Sequence, residues 1–214
     1  MNTGELISAL VGDYALQPRP KPIGRSLVAA IIAGFATSSA LFSVTLGMRP
    51  DFISALGTWR YDMKLGGSLV FAILAASIAS RLSKPTVSPR SVMLVLVVPV
   101  FLLLMAVTYE LTTIPASAWL PLAMGMNGPA CAANIVILSI VPLGAVVYAL
   151  RQGAPMSPSA TGATAGLLAG AMGATVFAMH CMEDSPLFVA IWYTLATGLM
   201  ATAGRLIGRY ALRW

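Results

Sequence analysis

Six long apolar runs, separated by short polar segments, make up most of the 214-residue chain. They cover approximately residues 26–47, 66–82, 91–109, 130–150, 161–180 and 186–208. Each run is close to the roughly 20 residues that an α-helix needs to cross ~30 Å of hydrocarbon. The pattern predicts an all-α integral membrane protein, a bundle of six transmembrane helices. An even number of spans places both termini on the same side.

Residues 1–24 precede the first span and form a segment of their own, which divides the chain into 1–24 and 25–214. Their apolar residues at helical spacing are Leu6, Ile7, Leu10, Val11 and Tyr14, with Thr3 available as an N-cap and Glu5 in the first turn. A stiff, basic, proline-rich spacer follows. The segment therefore predicts a short amphipathic helix, which lies on lipid headgroups or is offered to a groove of a soluble partner.

Composition and charge settle the class and the orientation. With 58% hydrophobic and 9% charged residues, the chain has too little polar surface for a soluble globule. The net charge of +6 comes from basic residues between the spans, so direct binding of nucleic acid is not expected. Most of them share the side of the termini, and Arg49, Arg60 and Lys64 are left on the other. The positive-inside rule then places both termini in the cytoplasm.

Glycines in the fifth span recur at a spacing of four, at Gly162, Gly166 and Gly170. Such a face lets another helix backbone approach closely. Packing inside the bundle is the expected use, and a homodimer is the other arrangement that this face would permit. On the outer side, Phe52 to Trp59 has the spacing of a short interfacial helix.

The chemistry of the chain is concentrated between the fifth and sixth spans, in the turn 180–186. Helices four and five each climb ~30 Å, so they return Cys131 and Cys181 to the same outer level. Three interpretations stay open for this pair. It is a structural disulfide, a redox-sensing or soft-metal site, or two small buried residues without a role.

Nearby polar residues extend these alternatives. His180, Glu183 and Asp184 are candidates for a soft or borderline metal ion or its surroundings, although no cofactor is required. Capping of the sixth helix by Asp184 and Ser185 is the preferred interpretation. Glu110, at the outer end of the third span, is expected to be solvated, and the alternative is that it joins this cluster or pairs with Arg60 or Lys64. Enzyme signatures such as a phosphate loop or a paired-histidine zinc helix are missing. A membrane thiol-redox enzyme or small-molecule carrier that uses the cysteine pair is the alternative function.

Several segments resemble the NrsF family of bacterial membrane anti-sigma factors. They are Leu150 to Pro155, Gly166 to Ala171, His180 to Phe188 and Trp192-Tyr193, together with the early Glu5-Leu6-Ile7 and Cys131 at the start of the fourth span. The resemblance covers essentially the whole chain in layout. The string His-Cys-x-Glu-Asp-Ser-Pro is its most specific part.

This resemblance implies a function. Family members hold an extracytoplasmic-function (ECF) sigma factor of the sigma-F type inactive at the inner membrane and release it under heavy-metal or oxidative stress. Carried onto this sequence, residues 1–24, with Glu5, Leu6, Ile7, Leu10, Val11 and Tyr14, are expected to bind the sigma factor. Cys131 and Cys181 are expected to be the sensing pair, and residues 25–214 the sensor domain.

Overall fold

The computed structural model describes residues 2–16, 23–84, 92 and 94–213. Throughout these ranges the regular structure is helical. We number the helices α1 (Thr3–Leu16), α2 (Ile23–Thr45), α3 (Phe52–Ala55), α4 (Trp59–Leu82), α5 (Leu94–Thr113), α6 (Trp119–Met124), α7 (Gly128–Leu150), α8 (Pro158–Ala178) and α9 (Pro186–Ala211). The first turn of α5 is a 3-10 turn, and α9 contains a π turn at Val189–Tyr193.

Six helical segments in the described part of the chain are long and apolar enough to cross a membrane, which confirms the predicted number. They are α2, α4, α5, the segment Ala116–Leu150 that contains α6 and α7, α8, and α9. Successive spans run in opposite directions, so α2 begins and α9 ends at the same end of the bundle, called here the near end. The turn between α8 and α9 lies at the opposite, far end.

Two predicted boundaries at the far end are wrong. The second span begins at Trp59 and not near residue 66, because Arg60 and Lys64 interrupt the apolar run but not the helix. The interfacial helix is reduced to the single turn α3, and Trp59 belongs to α4.

Helix α8 forms the centre of the bundle and is buried on nearly all sides. Its small residues let α4, α7 and α9 approach it closely, as close helix packing requires. The core continues from Leu168 and Met172 near its middle to Phe177 at the far end. Helix α5 is the opposite case, since most of its side chains point away from the bundle.

The glycine face of α8 packs against α9 within the same chain. A Cβ on Gly162 would overlap the carbonyl of Gly204, and a Cβ on Gly166 would overlap that of Met200. Gly170 faces Thr197 in the same groove. The expected packing role thus falls inside the bundle, and this face is not open for a homodimer.

Helix α1 precedes the bundle in sequence. Its first residue is Thr3, so the N-cap is Asn2 and not Thr3 as predicted. The Asn2 carbonyl accepts the first helical hydrogen bonds, and the Asn2 N–H donates back to Glu5 Oε2 over 3.0 Å. This is the second half of a capping box. The spacer around Pro18 and Pro20 and the side chain of Tyr14 lie outside the described residues.

Candidate functional site

The far end of the bundle carries a cluster of six charged side chains and one serine, called here the far-end cluster. Its members are Arg49, Asp51, Arg60, Lys64, Glu110, Asp184 and Ser185. They come from α4, α5 and the connections around them, and they surround the turn 179–186. The paragraphs below give their contacts in turn.

Lys64 is 0% exposed and anchors the turn through all three N–H groups of its ammonium. Nζ donates to the Cys181 carbonyl over 2.7 Å and to the Glu183 carbonyl over 3.2 Å, and it forms an ion pair with Asp184. The ammonium also lies 5.3 Å from the centre of the Tyr61 ring. A buried charge is tolerated only when its donors are satisfied in this way.

Arg49 holds the same turn from the other side. Its Nη1 lies 2.9 Å from Asp184 Oδ2 and 3.2 Å from the Cys181 carbonyl, and its Nε lies 2.7 Å from Asp51 Oδ1. The guanidinium keeps the pKa of the Asp51 carboxyl below its usual value. The backbone N–H of Arg49 also donates to the Met179 carbonyl over 3.0 Å. The turn is thus tied to two cations.

The expectation of a solvated Glu110 is wrong, since this side chain is 0% exposed. It lies 2.9 Å from Arg60 Nη2, and its second oxygen accepts from Ser185 Oγ over 2.6 Å and from the Leu187 N–H over 3.2 Å. Glu110 therefore joins α5 to the start of α9. Ser185 caps α9 as expected, whereas Asp184 is used for the ion pairs.

The cysteines meet beside this cluster. Cys131 lies in the first turn of α7 and Cys181 in the turn after α8, and both are free thiols. Their side chains are close enough to share a hydrogen bond, and Cys181 is buried at 3% exposure. The hydrogen bond from Cys131 and the neighbouring Lys64 ammonium lower the pKa of the Cys181 thiol to about 6. A lowered pKa increases the thiolate fraction of Cys181, and a second thiol lies next to it, an arrangement that favours reaction with oxidants and soft metals.

This pKa gives a first prediction. Alkylation of Cys181 by a small, membrane-permeant thiol reagent should rise as pH increases through about 6, because only the thiolate reacts. In a Cys131→Ala variant the rise should move to higher pH, since the donor to Cys181 is lost. Mass spectrometry of the quenched reaction measures it. A rise near pH 9 in the unsubstituted protein would contradict the assignment.

The other residues that the sequence marked near the pair are engaged elsewhere. His180 Nδ1 lies 3.0 Å from the Gly47 carbonyl, which can only accept, so Nδ1 carries a proton. Glu183 accepts from the Met126 N–H over 3.1 Å, and Asp184 belongs to the far-end cluster. Within the described ranges, histidine, cysteine and acidic side chains form no group of three or more that could hold a metal ion.

Sequence reasoning considered Arg60 and Lys64 as partners of Glu110 but preferred a solvated Glu110, and it used Arg49 only to orient the chain. The acidic residues could have indicated these ion pairs. Glu110, Glu183 and Asp184 were predicted at the same outer level as the three cations, and opposite charges next to a low-dielectric interior tend to pair.

The described structure combines a bundle of long apolar helices, in which two free thiols are neighbours, with a separate short helix whose apolar side chains are exposed. Comparison with known proteins gives its family: the model described as "Negative regulator of sigma F" (NrsF) matches residues 12–214, and the chain belongs to this family. No solved structure matches the chain.

Two curated relatives agree with the family over their full lengths. The chain is 31% identical to the anti-sigma-F factor NrsF of Caulobacter vibrioides and 30% identical to the probable anti-sigma-F factor NrsF of Azospira oryzae, with 100% of each chain covered. These relatives are anti-sigma factors, which are regulatory proteins and not enzymes. The protein is therefore a regulator. The alternative of a thiol-redox enzyme is therefore not retained.

Proposed function

We propose that this protein is an inner-membrane anti-sigma factor that binds an ECF sigma factor of the sigma-F type through α1. It releases the sigma factor when Cys131 and Cys181 react with an oxidant or a heavy metal. Six helices of membrane-spanning length and composition support a membrane location, and the distribution of basic residues favours α1 on the cytoplasmic side. The far-end cluster and the thiol pair then face the periplasmic side.

The exposed apolar side of α1 is the observation that carries the proposal. Leu6, Ile7, Leu10 and Val11 are 43–64% exposed. An isolated helix of 14 residues is marginal in water, and its apolar residues gain stability only against another surface. A groove of a cytoplasmic sigma factor provides such a surface. Glu5, at the first turn, adds an acidic contact for that partner.

A series of contacts connects the thiol end of the bundle with the start of α2. The cysteines lie at the far ends of α7 and α8, and the near ends of these helices are joined by residues 151–157. In that connection Gln152 Oε1 accepts from Ser26 Oγ of α2 over 2.7 Å, and Gly153 packs so closely that a Cβ there would overlap Ile23. A shift of α7 against α8 therefore reaches the start of α2, to which the N-terminal segment is attached. Signalling requires two such arrangements, each preferred by one state of the thiols.

The experiment that tests the function is a pull-down of the full-length protein in mild detergent, beside a version without residues 2–16. The full-length protein should recover a sigma factor, and the truncated one should not. A substitution of Leu6, Ile7, Leu10 and Val11 by serine keeps the chain length and should also lose the sigma factor. Equal recovery by all versions would show that α1 is not the binding segment.

A second prediction concerns release. Cys131→Ser and Cys181→Ser should each retain the sigma factor and abolish its release by cadmium or by a thiol oxidant, because no thiol pair remains. Transcription from a sigma-dependent promoter measures release in cells, and the pull-down measures retention. Release at the unsubstituted level in either variant would remove the cysteines from the mechanism.

A further inference from the structure

Two arginines near the end of α9 lie on the side of this helix that faces away from the bundle. Arg205 and Arg209 are both exposed, whereas Gly204 and Gly208 belong to the buried side that packs against α8. Residues four apart are neighbours on a helix surface, so the two side chains start about 6 Å apart along the axis of α9. Leu206, beside them, is 51% exposed. The outer side of α9 therefore presents two cations next to apolar surface.

The contacts between α8 and α9 fix the depth of these arginines in the bundle. A Cβ on Gly208 would overlap the carbonyl oxygen of Pro158, the first residue of α8, and a Cβ on Gly204 would overlap that of Gly162. The second arginine thus lies level with the start of α8, and the first lies about one helical turn, or roughly 6 Å, deeper. Only the flexible stem of the deeper side chain allows its charge to reach the end of the bundle.

These arginines have no acidic partner among the residues that the structure describes. All four ion pairs of that part of the chain belong to the far-end cluster. The acidic residues of the chain lie in α1 or at the far end, and they are Glu5, Asp13, Asp51, Asp62, Glu110, Glu183 and Asp184. A charge next to hydrocarbon is costly unless an opposite charge accompanies it. The counter-charge for the arginines is therefore expected from another molecule.

Two further residues extend this surface beyond the start of α8. Arg213 follows the end of α9, and its guanidinium carbon lies 5.5 Å from the centre of the Tyr210 ring. Tyr210 is 75% exposed. Tyrosine is enriched at the level of lipid headgroups, where its ring contacts hydrocarbon and its hydroxyl contacts water. We call Arg205, Arg209, Tyr210 and Arg213 the arginine face.

We propose that the arginine face binds an anionic phospholipid of the inner membrane, whose phosphate accepts hydrogen bonds from Arg205 and Arg209. A guanidinium presents paired N–H donors that match the oxygens of a phosphate. The acyl chains of the lipid lie along the exposed apolar side of α9, where Leu199 and Leu206 are 54% and 51% exposed. This inference rests on the membrane location and orientation in the proposed function.

The depth of the arginines distinguishes this ligand from others of the same charge. Arg205 lies inside the level at which α8 starts and has exposed leucine beside it, so a soluble acidic protein does not reach its position. A zwitterionic phospholipid carries the same phosphate, but its own cation already balances that charge. Attraction of an anionic lipid grows with each basic residue near the membrane surface. The arginine face therefore favours a lipid with net negative charge.

The test titrates the delipidated full-length protein in detergent with cardiolipin, which is anionic, and with phosphatidylcholine, which is zwitterionic. Native mass spectrometry measures the bound lipid. Arg205→Gln with Arg209→Gln should weaken cardiolipin binding about 25-fold, roughly fivefold for each charge removed. Arg81→Gln with Lys84→Gln removes the same charge from exposed positions at the near end of α4 and should leave binding within about twofold. Both double variants should keep the Tm of the unsubstituted protein, because all four side chains are exposed.

Three results would overturn the lipid site. They are unchanged cardiolipin binding in the α9 variant, equal weakening in the two double variants, and equally tight binding of phosphatidylcholine. Displacement of cardiolipin by excess inorganic phosphate would show a site for a soluble anion instead. The pull-down separates this inference from the proposed function. An α9 variant that keeps cardiolipin but loses the sigma factor would assign the arginines to the protein partner. Arginine-dependent lipid binding in a protein that recovers no sigma factor would support the site and reject the anti-sigma role.

Discussion

Replacing Lys64 by methionine should destabilise the protein by about 3 kcal/mol, the lower end of the usual cost of breaking a buried ion pair. Methionine has a similar length and fits the apolar surroundings, but it donates to none of the three acceptors. The Glu183 carbonyl loses its only donor from the far-end cluster. Asp184 and the Cys181 carbonyl keep Arg49, which is why a larger loss is not expected.

Thermal unfolding in detergent, followed with a thiol-reactive dye, measures this effect through exposure of buried Cys181. A loss of this size corresponds to a decrease in Tm of roughly 10 °C. Lys84→Met is the matched control, because Lys84 is exposed at the near end of α4. An unchanged Tm for Lys64→Met, or an equal decrease for Lys84→Met, would show that the buried ammonium contributes nothing specific.

Gly166→Leu should be at least as damaging, with an expected cost of about 3 kcal/mol or more. The new side chain would overlap the backbone of Met200 and Ala201 in α9, and a backbone cannot move away as a flexible side chain can. Helix α9 would have to separate from α8 and open the contacts of Gly162 and Gly170 as well. The quantity to measure is the amount of folded, monodisperse protein and its Tm.

Gly144→Leu provides the control for this substitution. Gly144 is exposed on α7, and a Cβ there would meet nothing within 4 Å. Leucine has the higher helix propensity, so this variant should be as stable as the unsubstituted protein or slightly more stable. Normal folding of Gly166→Leu would mean that α8 and α9 do not pack as described.

The sequence was sufficient for the number and order of the spans, because apolar runs of membrane length have few other interpretations. It also placed Cys131 and Cys181 at one level, since the rise of a helix fixes where two ends of a hairpin meet. The structure brings these thiols together, while their role in sensing stays a prediction. The glycine face indicated close packing but not which helix would occupy it.

Errors were concentrated where a charge is buried. Hydropathy treats Lys64 as solvated, so the predicted span began too late, and Glu110 was assigned to water for the same reason. Each of these charges is stabilised by partners far away in sequence: Lys64 by Asp184, 120 residues later, and Glu110 by Ser185, 75 residues later. A pattern within one window cannot contain such partners.

The same separations set an order of events during synthesis. Arg49 and Lys64 emerge from the ribosome long before Asp184, which lies 135 and 120 residues later in the chain. Helix α4 is therefore made while its Lys64 ammonium still lacks the Asp184 carboxylate. The ion pairs of Lys64 and Arg49 with Asp184 can form only after the α8–α9 turn has been synthesised. They are therefore among the last contacts of the far-end cluster to form.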